Sequence, residues 1–305
     1  MKIGIPNALF IREKIPMYVS YLKYNGIDSV VSTNTTLKTI EDGKEIATSE
    51  DCIASKIFMG HIHELVNLYN NGYLDGVLIP RIYKNSKNME GCVKSLALYD
   101  IVKAIYPNVN FIDVNVDYSK NMTYFKSLIN LGVTLGLNPK NSFLGAFYAL
   151  EEQKKFEQRK YNEQFEKIDL NKKNILIIGN EYIVQDGYIK KLIISNLEDE
   201  NNNVIYACIN NGKDRYKNIS NQLYFINGAN ILNGIEEYLP LADACLFITG
   251  FPCATDSLVN EMVKKRIKGI PYIELSVDEN TSNTGIVTRI ESFKDMIEGR
   301  KYVWG

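Results

Sequence analysis

An α/β fold with two lobes is predicted by three observations. Short apolar runs alternate with amphipathic stretches, the alternation stops once and then resumes, and 305 residues exceed a typical single hydrophobic core. The first lobe reads as strand 2–6, helix 12–25, strand 28–32, helix 53–70, strand 76–80, helix 94–105 and strand 109–114. The runs Lys2-Ile3-Gly4-Ile5 and Gly76-Val77-Leu78-Ile79 are apolar almost throughout, as strands covered by helices on both faces must be. Residues 119–168 contain no strand pattern, and the charged tract Glu151 to Lys160 reads as a solvated helix. Strand 174–179, helix 187–198, strand 203–209, helix 229–238, strand 243–249, helix 256–268, strand 271–276 and helix 286–298 complete the series. The expected organisation is an N-terminal α/β lobe over 1–118, a helical connector over 119–170 and a C-terminal α/β lobe over 171–305. Each lobe is expected to be Rossmann-like (flavodoxin-like) with a parallel sheet.

Composition excludes several classes of function. A net charge of -1 provides no general attraction to nucleic acid or an acidic membrane. No stretch approaches the ~20 apolar residues of a membrane span, and the opening residues lack the apolar core of a signal peptide, so a cytoplasmic protein is expected. There is no GxxxxGK[ST], HExxH or GxSxG, and Gly179-Asn180-Glu181 does not complete GxGxxG. Two histidines exclude a His-rich metal centre.

Cysteine placement is the most informative local feature. Of five cysteines, Cys208 and Cys245 fall in apolar strand-like runs and read as core. Cys52, Cys92 and Cys253 each fall where a loop enters a helix, and none belongs to a CxxC pair. A helix N-terminus carries unpaired N–H groups and about half a positive charge, which favours a thiolate or a bound anionic group. Ligands of open parallel sheets bind outside the carboxyl ends of the strands. A centre on Cys52, Cys92 and Cys253 would therefore lie in the cleft between the lobes. The competing reading is three separately buried thiols. Lys56 and His61, on the Cys52 helix, either serve a site as hydrogen-bond or proton donors, or are a solvated lysine and a packed histidine. Arg81 either balances charge at a site or forms a structural ion pair. Asp256 and Ser257 read as caps of the following helix, while Asp278, Glu279, Thr288, Arg289 and Glu291 either line the cleft or form a network.

Several segments resemble, in order, the acyl-CoA dehydratase activase-related proteins of the 2-hydroxyacyl-CoA dehydratase and double-cubane cluster superfamily. The opening Lys2-Ile3-Gly4-Ile5-Pro6-Asn7-Ala8-Leu9 is similar to the family's start. Asp51-Cys52-Ile53-Ala54-Ser55-Lys56 with Gly60-His61 is similar to D-x-C-x-P-x-K…G-H, and Leu78-Ile79-Pro80-Arg81-Ile82 with Cys92 and Lys94 to I-P-R-I…C-P-K. Phe251-Pro252-Cys253-Ala254-Thr255-Asp256-Ser257 resembles F-x-C-G-P-D-S, and residues 278–293 resemble D-E-H-T…G-I-x-T-R-x-E-A-F. Ala54 and Val93 stand where the family has proline, Ala254-Thr255 where it has Gly-Pro, and Asn280 where it has histidine.

The resemblance implies an iron-sulfur redox protein in which Cys52, Cys92 and Cys253 hold a 4Fe-4S cluster, or a sulfide-bridged double cubane across a homodimer. A separate ATP-dependent iron-sulfur activator would reduce it, and Lys56, His61 and Arg81 become catalytic candidates. A related dehydratase subunit is a further implied partner. Two other readings stand beside this one, a non-catalytic scaffold subunit of such a system and a two-lobed small-molecule sensor.

Overall fold

The computed structural model describes residues 1–86, 89–169, 171–220 and 223–299. They divide into two compact units, Met1–Gln158 with Tyr224–Ile226, and Arg159–Leu223 with Asn227–Gly305. The stretch expected as a connector, 119–170, is thus shared between the two units.

In the first unit the order is β1 (Lys2–Ile5), α1 (Leu9–Tyr24), β2 (Asp28–Val31), α2 (Leu37–Ile46), α3 (Ile53–Asn70), β3 (Gly76–Ser86), β4 (Met89–Glu90), α4 (Val93–Ile105), β5 (Phe111–Asp117), α5 (Tyr124–Thr134) and α6 (Pro139–Glu166), the last running on into the second unit. β1 pairs in parallel with β2 on one edge and β3 on the other, and β3 pairs in parallel with β5. The two-residue β4 is antiparallel to β3, so this sheet is mixed where a purely parallel one is expected from sequence. Lys84 of β3 is partnered by Glu90 on one edge and Asp117 on the other, which puts β4 on β1's side, beyond the carboxyl end of β1. Ile3, Ile5, Val77, Leu78, Val114 and Val116 are buried in the sheet, as are Ile11, Tyr18 and Leu22 of α1 and Ile57, Phe58 and Ile62 of α3. Each fully buried aliphatic side chain stabilises by about 1.5–3 kcal/mol relative to exposure.

The second unit comprises the end of α6, then β6 (Lys173–Ile178), α7 (Glu181–Val184), α8 (Gly187–Ile193), β7 (Asn202–Tyr206), α9 (Ile226–Tyr238), β8 (Ala244–Gly250), α10 (Ala254–Lys264), β9 (Tyr272–Val277) and α11 (Asn283–Ile297). Its sheet is wholly parallel in the order β7-β6-β8-β9. Ile175 to Ile178 and Ala244 to Ile248 are buried without interruption, which explains why these strands read as continuous apolar runs.

Both units therefore repeat one plan. The first strand lies second in the sheet, the next strand goes to one side and the third to the other. Consecutive connections thus diverge between β1 and β3 in the first unit and between β6 and β8 in the second. A crevice opens at such a divergence, outside the carboxyl ends of the strands.

Candidate functional site

Cys52, Cys92 and Cys253 are the N-cap residues of α3, α4 and α10. In none of the three does the side chain accept a capping hydrogen bond. Serine, threonine, aspartate or asparagine normally occupies such a position and satisfies first-turn N–H groups. A thiol does this poorly, so each helix begins with donors and partial positive charge directed at a sulfur's surroundings.

Two of these helix starts are tied together within the first unit. Lys94, in the first turn of α4, donates from Nζ to the Glu50 carbonyl oxygen at 2.5 Å and lies 3.6 Å from the Asp51 carboxylate. Both acceptors belong to the loop that delivers Cys52. Lys56 holds the same loop from the other direction, with Nζ 3.4 Å from the Ser49 carbonyl oxygen. This lysine is buried, at 3% exposure, and so is not the solvated residue that one reading of the sequence makes it. Cys52 is half-buried, with Sγ 3.3 Å from Ser55 Oγ, and Cys92 is exposed. Gly91 sets the approach to Cys92. Its N–H donates to the Tyr83 carbonyl at 2.8 Å, and a Cβ there would sit 2.0 Å from the Ile82 carbonyl oxygen.

His61 is completely buried, with Nδ1 2.9 Å from Ser32 Oγ and Nε2 3.0 Å from Thr35 Oγ1. Burial, helped by the Arg12 charge, lowers its pKa to about 4, so the imidazole is neutral at physiological pH. Ser32 Oγ also accepts the Asn7 N–H at 2.8 Å, joining the end of β1 to α3 through the histidine. Its neighbour two residues on, His63, is half-buried, and its Nδ1 has no hydrogen-bond partner among the described residues.

Arg81 grips Asp113 with two hydrogen bonds, Nε to Oδ1 at 3.0 Å and Nη2 to Oδ2, and reaches Asp100 from Nη1 at 3.1 Å. Its guanidinium lies 4.7 Å from the Tyr99 ring centroid. The hydrogen bond to Asp113 raises the arginine's pKa further. These contacts describe a structural ion pair between β3 and β5. Arg81→Lys, which cannot reproduce the fork, is expected to cost about 1–3 kcal/mol in urea denaturation, and an unchanged midpoint would contradict this.

In the second unit Cys253 follows β8, with Sγ 3.2 Å from Thr255 Oγ1. Burial and then the Asp256 carboxylate push its thiol up to about 12, although the Thr255 hydroxyl and the Asp256 N–H favour the thiolate. Asp256 does not stand before the helix as its cap, the position its sequence suggests. The helix starts at Ala254, and Asp256 lies buried in its first turn, accepting from Asn180 Nδ2 at 2.5 Å. Burial raises this carboxyl to about 6 against the hydrogen bonds it accepts. Ser257 Oγ donates back to the Cys253 carbonyl at 3.2 Å. Asp278 closes a local turn with Thr281, Thr288 bonds back to Thr284, and Arg289 and Glu291 are exposed on α11.

Cys208 and Cys245 are buried, and burial pushes the Cys245 thiol up to about 12. Among the described residues no group of three or more His, Cys, Asp or Glu side chains is arranged to hold a metal ion.

Asn180 escapes sequence reasoning because Gly179-Asn180-Glu181 reads only as an incomplete glycine fingerprint. Position is the available signal. It stands two residues past Ile178, the end of β6, as Asn7 stands two residues past Ile5, the end of β1. Lys94 escapes as a fastening residue because nothing in sequence connects it with residues 50 and 51.

Residues 2–209 match the family model described as the CoA enzyme activase uncharacterised domain (DUF2229). The chain belongs to this family. The matched stretch of this DUF2229 protein contains Cys52 and Cys92 and ends before Cys253. No curated protein matches the chain. Among solved structures, the Mn2+ complex of the SBP FpvC from Pseudomonas aeruginosa is 11% identical, covering 97% of this chain and 99% of its own at a TM-score of 0.27. A Cd-bound periplasmic metal binding protein from Candidatus Liberibacter asiaticus is 11% identical, covering 98% and 99% at 0.30. The C-terminal domain of glucosamine-fructose-6-phosphate aminotransferase from Francisella tularensis is 10% identical, covering 98% and 84% at 0.24. Scores this low assign neither fold family nor ligand. No described helix of this DUF2229 protein is long and apolar enough to cross a membrane.

Proposed function

We propose that this DUF2229 protein is an iron-sulfur redox protein of the 2-hydroxyacyl-CoA dehydratase and double-cubane superfamily, with Cys52, Cys92 and Cys253 as cluster ligands. One observation carries the reading. Three cysteines, and no conventional capping residue, occupy helix N-caps without a side-chain capping hydrogen bond, Cys52 after the loop from α2, Cys92 after the antiparallel β4 and Cys253 after the parallel strand β8.

The donor set fits the group. Thiolates are the usual ligands of iron-sulfur clusters, and three of them leave one iron open to a further ligand. The helix N-termini would offset the negative charge of a thiolate-bound cluster. Ser55 Oγ and Thr255 Oγ1, already within 3.3 and 3.2 Å of Cys52 and Cys253 Sγ, would donate hydrogen bonds to the sulfurs, a contact that tunes cluster potential. Lys94 would hold the Cys52 loop in register with α4. When bound, the cluster supplies one-electron chemistry at low potential. With no nucleotide-binding motif in the sequence, the reducing electron would come from a separate ATP-dependent activator in the cytoplasm.

Anaerobically purified protein is expected to be brown and to contain about four irons and matching sulfide per chain. It should give a cluster signal in electron paramagnetic resonance after reduction. The single variants Cys52→Ser, Cys92→Ser and Cys253→Ser are each expected to lose most of that iron while keeping the far-ultraviolet circular dichroism of the parent. Cys208→Ser should retain it. Iron-free protein after reconstitution, or iron retained in all three variants, rejects the proposal.

A further inference from the structure

The outer face of the first half of α6 is apolar without serving its own core. The inner face of this segment is buried through Ser142, Ala146, Ala149 and Gln153. On the opposite face Phe143, Leu144, Phe147 and Tyr148 are 46%, 41%, 53% and 45% exposed. Their spacing of 1, 3 and 4 residues makes a single seam of the kind one helix presents to another. Phe143 and Phe147 also lock against Phe125 of α5, with ring centroids 5.2, 4.7 and 5.2 Å apart in edge-to-face geometry. The seam is therefore preformed and loses little freedom on being covered.

Charge at the ends of the seam identifies the occupant. Lys140 and Glu151 are exposed and continue the same face, and among the described residues neither side chain has an ion-pair partner. We propose that this face is a homodimer interface in which α6 of two copies pack antiparallel about a two-fold axis between Gly145 and Ala146. That axis sets Phe143 against Tyr148 of the partner subunit and Leu144 against Phe147 of the partner subunit. It sets Lys140 against Glu151 of the partner subunit, and the reciprocal pair forms at the other end. Parallel packing would instead place Lys140 beside its own copy. The surface is thus complementary to itself in one orientation, as a two-fold interface requires.

Sedimentation of the full chain from low to high micromolar concentration tests the proposal. Wild type is expected to show a concentration-dependent monomer–dimer equilibrium. Lys140→Glu, an exposed change that leaves the fold intact, should weaken the dimer about tenfold or more by opposing like charges at both ends. The double variant Lys140→Glu/Glu151→Lys restores opposite charges and should recover wild-type affinity. A chain monomeric at every concentration, or a dimer indifferent to both variants, overturns the proposal.

Discussion

Gly60→Ala is expected to destabilise the first unit by about 3 kcal/mol, the upper range for overpacking, even though alanine is the better helix former by about 1 kcal/mol. A Cβ at Gly60 would lie 1.9 Å from the Thr39 carbonyl oxygen and 2.8 Å from its carbon. The obstacle is backbone of α2, so no side-chain rotation relieves it. Gly43 makes the reciprocal contact, with a Cβ there 1.8 Å from the Lys56 carbonyl oxygen. The two helices cross at these glycines, and α2 must move outward to admit a methyl group at either. Urea denaturation and thermal melting read the effect, which should lower the melting temperature by roughly 6–12 °C for a unit of this size. Gly72 is the control, because its φ is 74° and a Cβ there would meet nothing within 4 Å. Gly72→Ala costs only the left-handed backbone penalty of about 1 kcal/mol. Equal stability of the Gly60→Ala and parent proteins would contradict the tight crossing.

The second large effect is on pH dependence. His61 has its pKa lowered to about 4 in the folded protein from 6.5, chiefly by burial. Between these values the unfolded chain binds a proton that the folded one refuses, so stability rises with pH and is lost as pH falls from about 6.5 to about 4. At about 1.4 kcal/mol per unit the full loss is about 3–4 kcal/mol. His61→Gln removes this titration while keeping a polar group between Ser32 and Thr35. Its stability at pH 7 should fall by about 1–3 kcal/mol through imperfect hydrogen bonding, with a shallower decline toward pH 4 than wild type. Urea midpoints measured at several pH values give the comparison. Parallel pH profiles for the two proteins would show that His61 is not the group responsible.

The strands and most helices are legible in the sequence because fully covered parallel strands must be apolar throughout and their helices amphipathic. Helix α2 is not. Only Thr39, Ile40 and Gly43 of it are buried, so it carries no apolar stripe and docks through a glycine. The continuation of β3 through Arg81 and Lys84 is hidden because its outer end pairs with β4 and β5 using charged side chains. At the candidate site, the placement of Cys52, Cys92 and Cys253 at helix starts can be read from flanking residues alone. The surroundings of His61 cannot, since Ser32 and Thr35 are about thirty residues away in the chain and their approach depends on α2, which has no sequence signature.

The fastening made by Lys94 has a mechanical meaning. Its ammonium clasps the doorstep of Cys52 while its own backbone is the first coil after Cys92. Moving either helix start outward must stretch or snap that clasp, so a displacement of one loop is felt at the other.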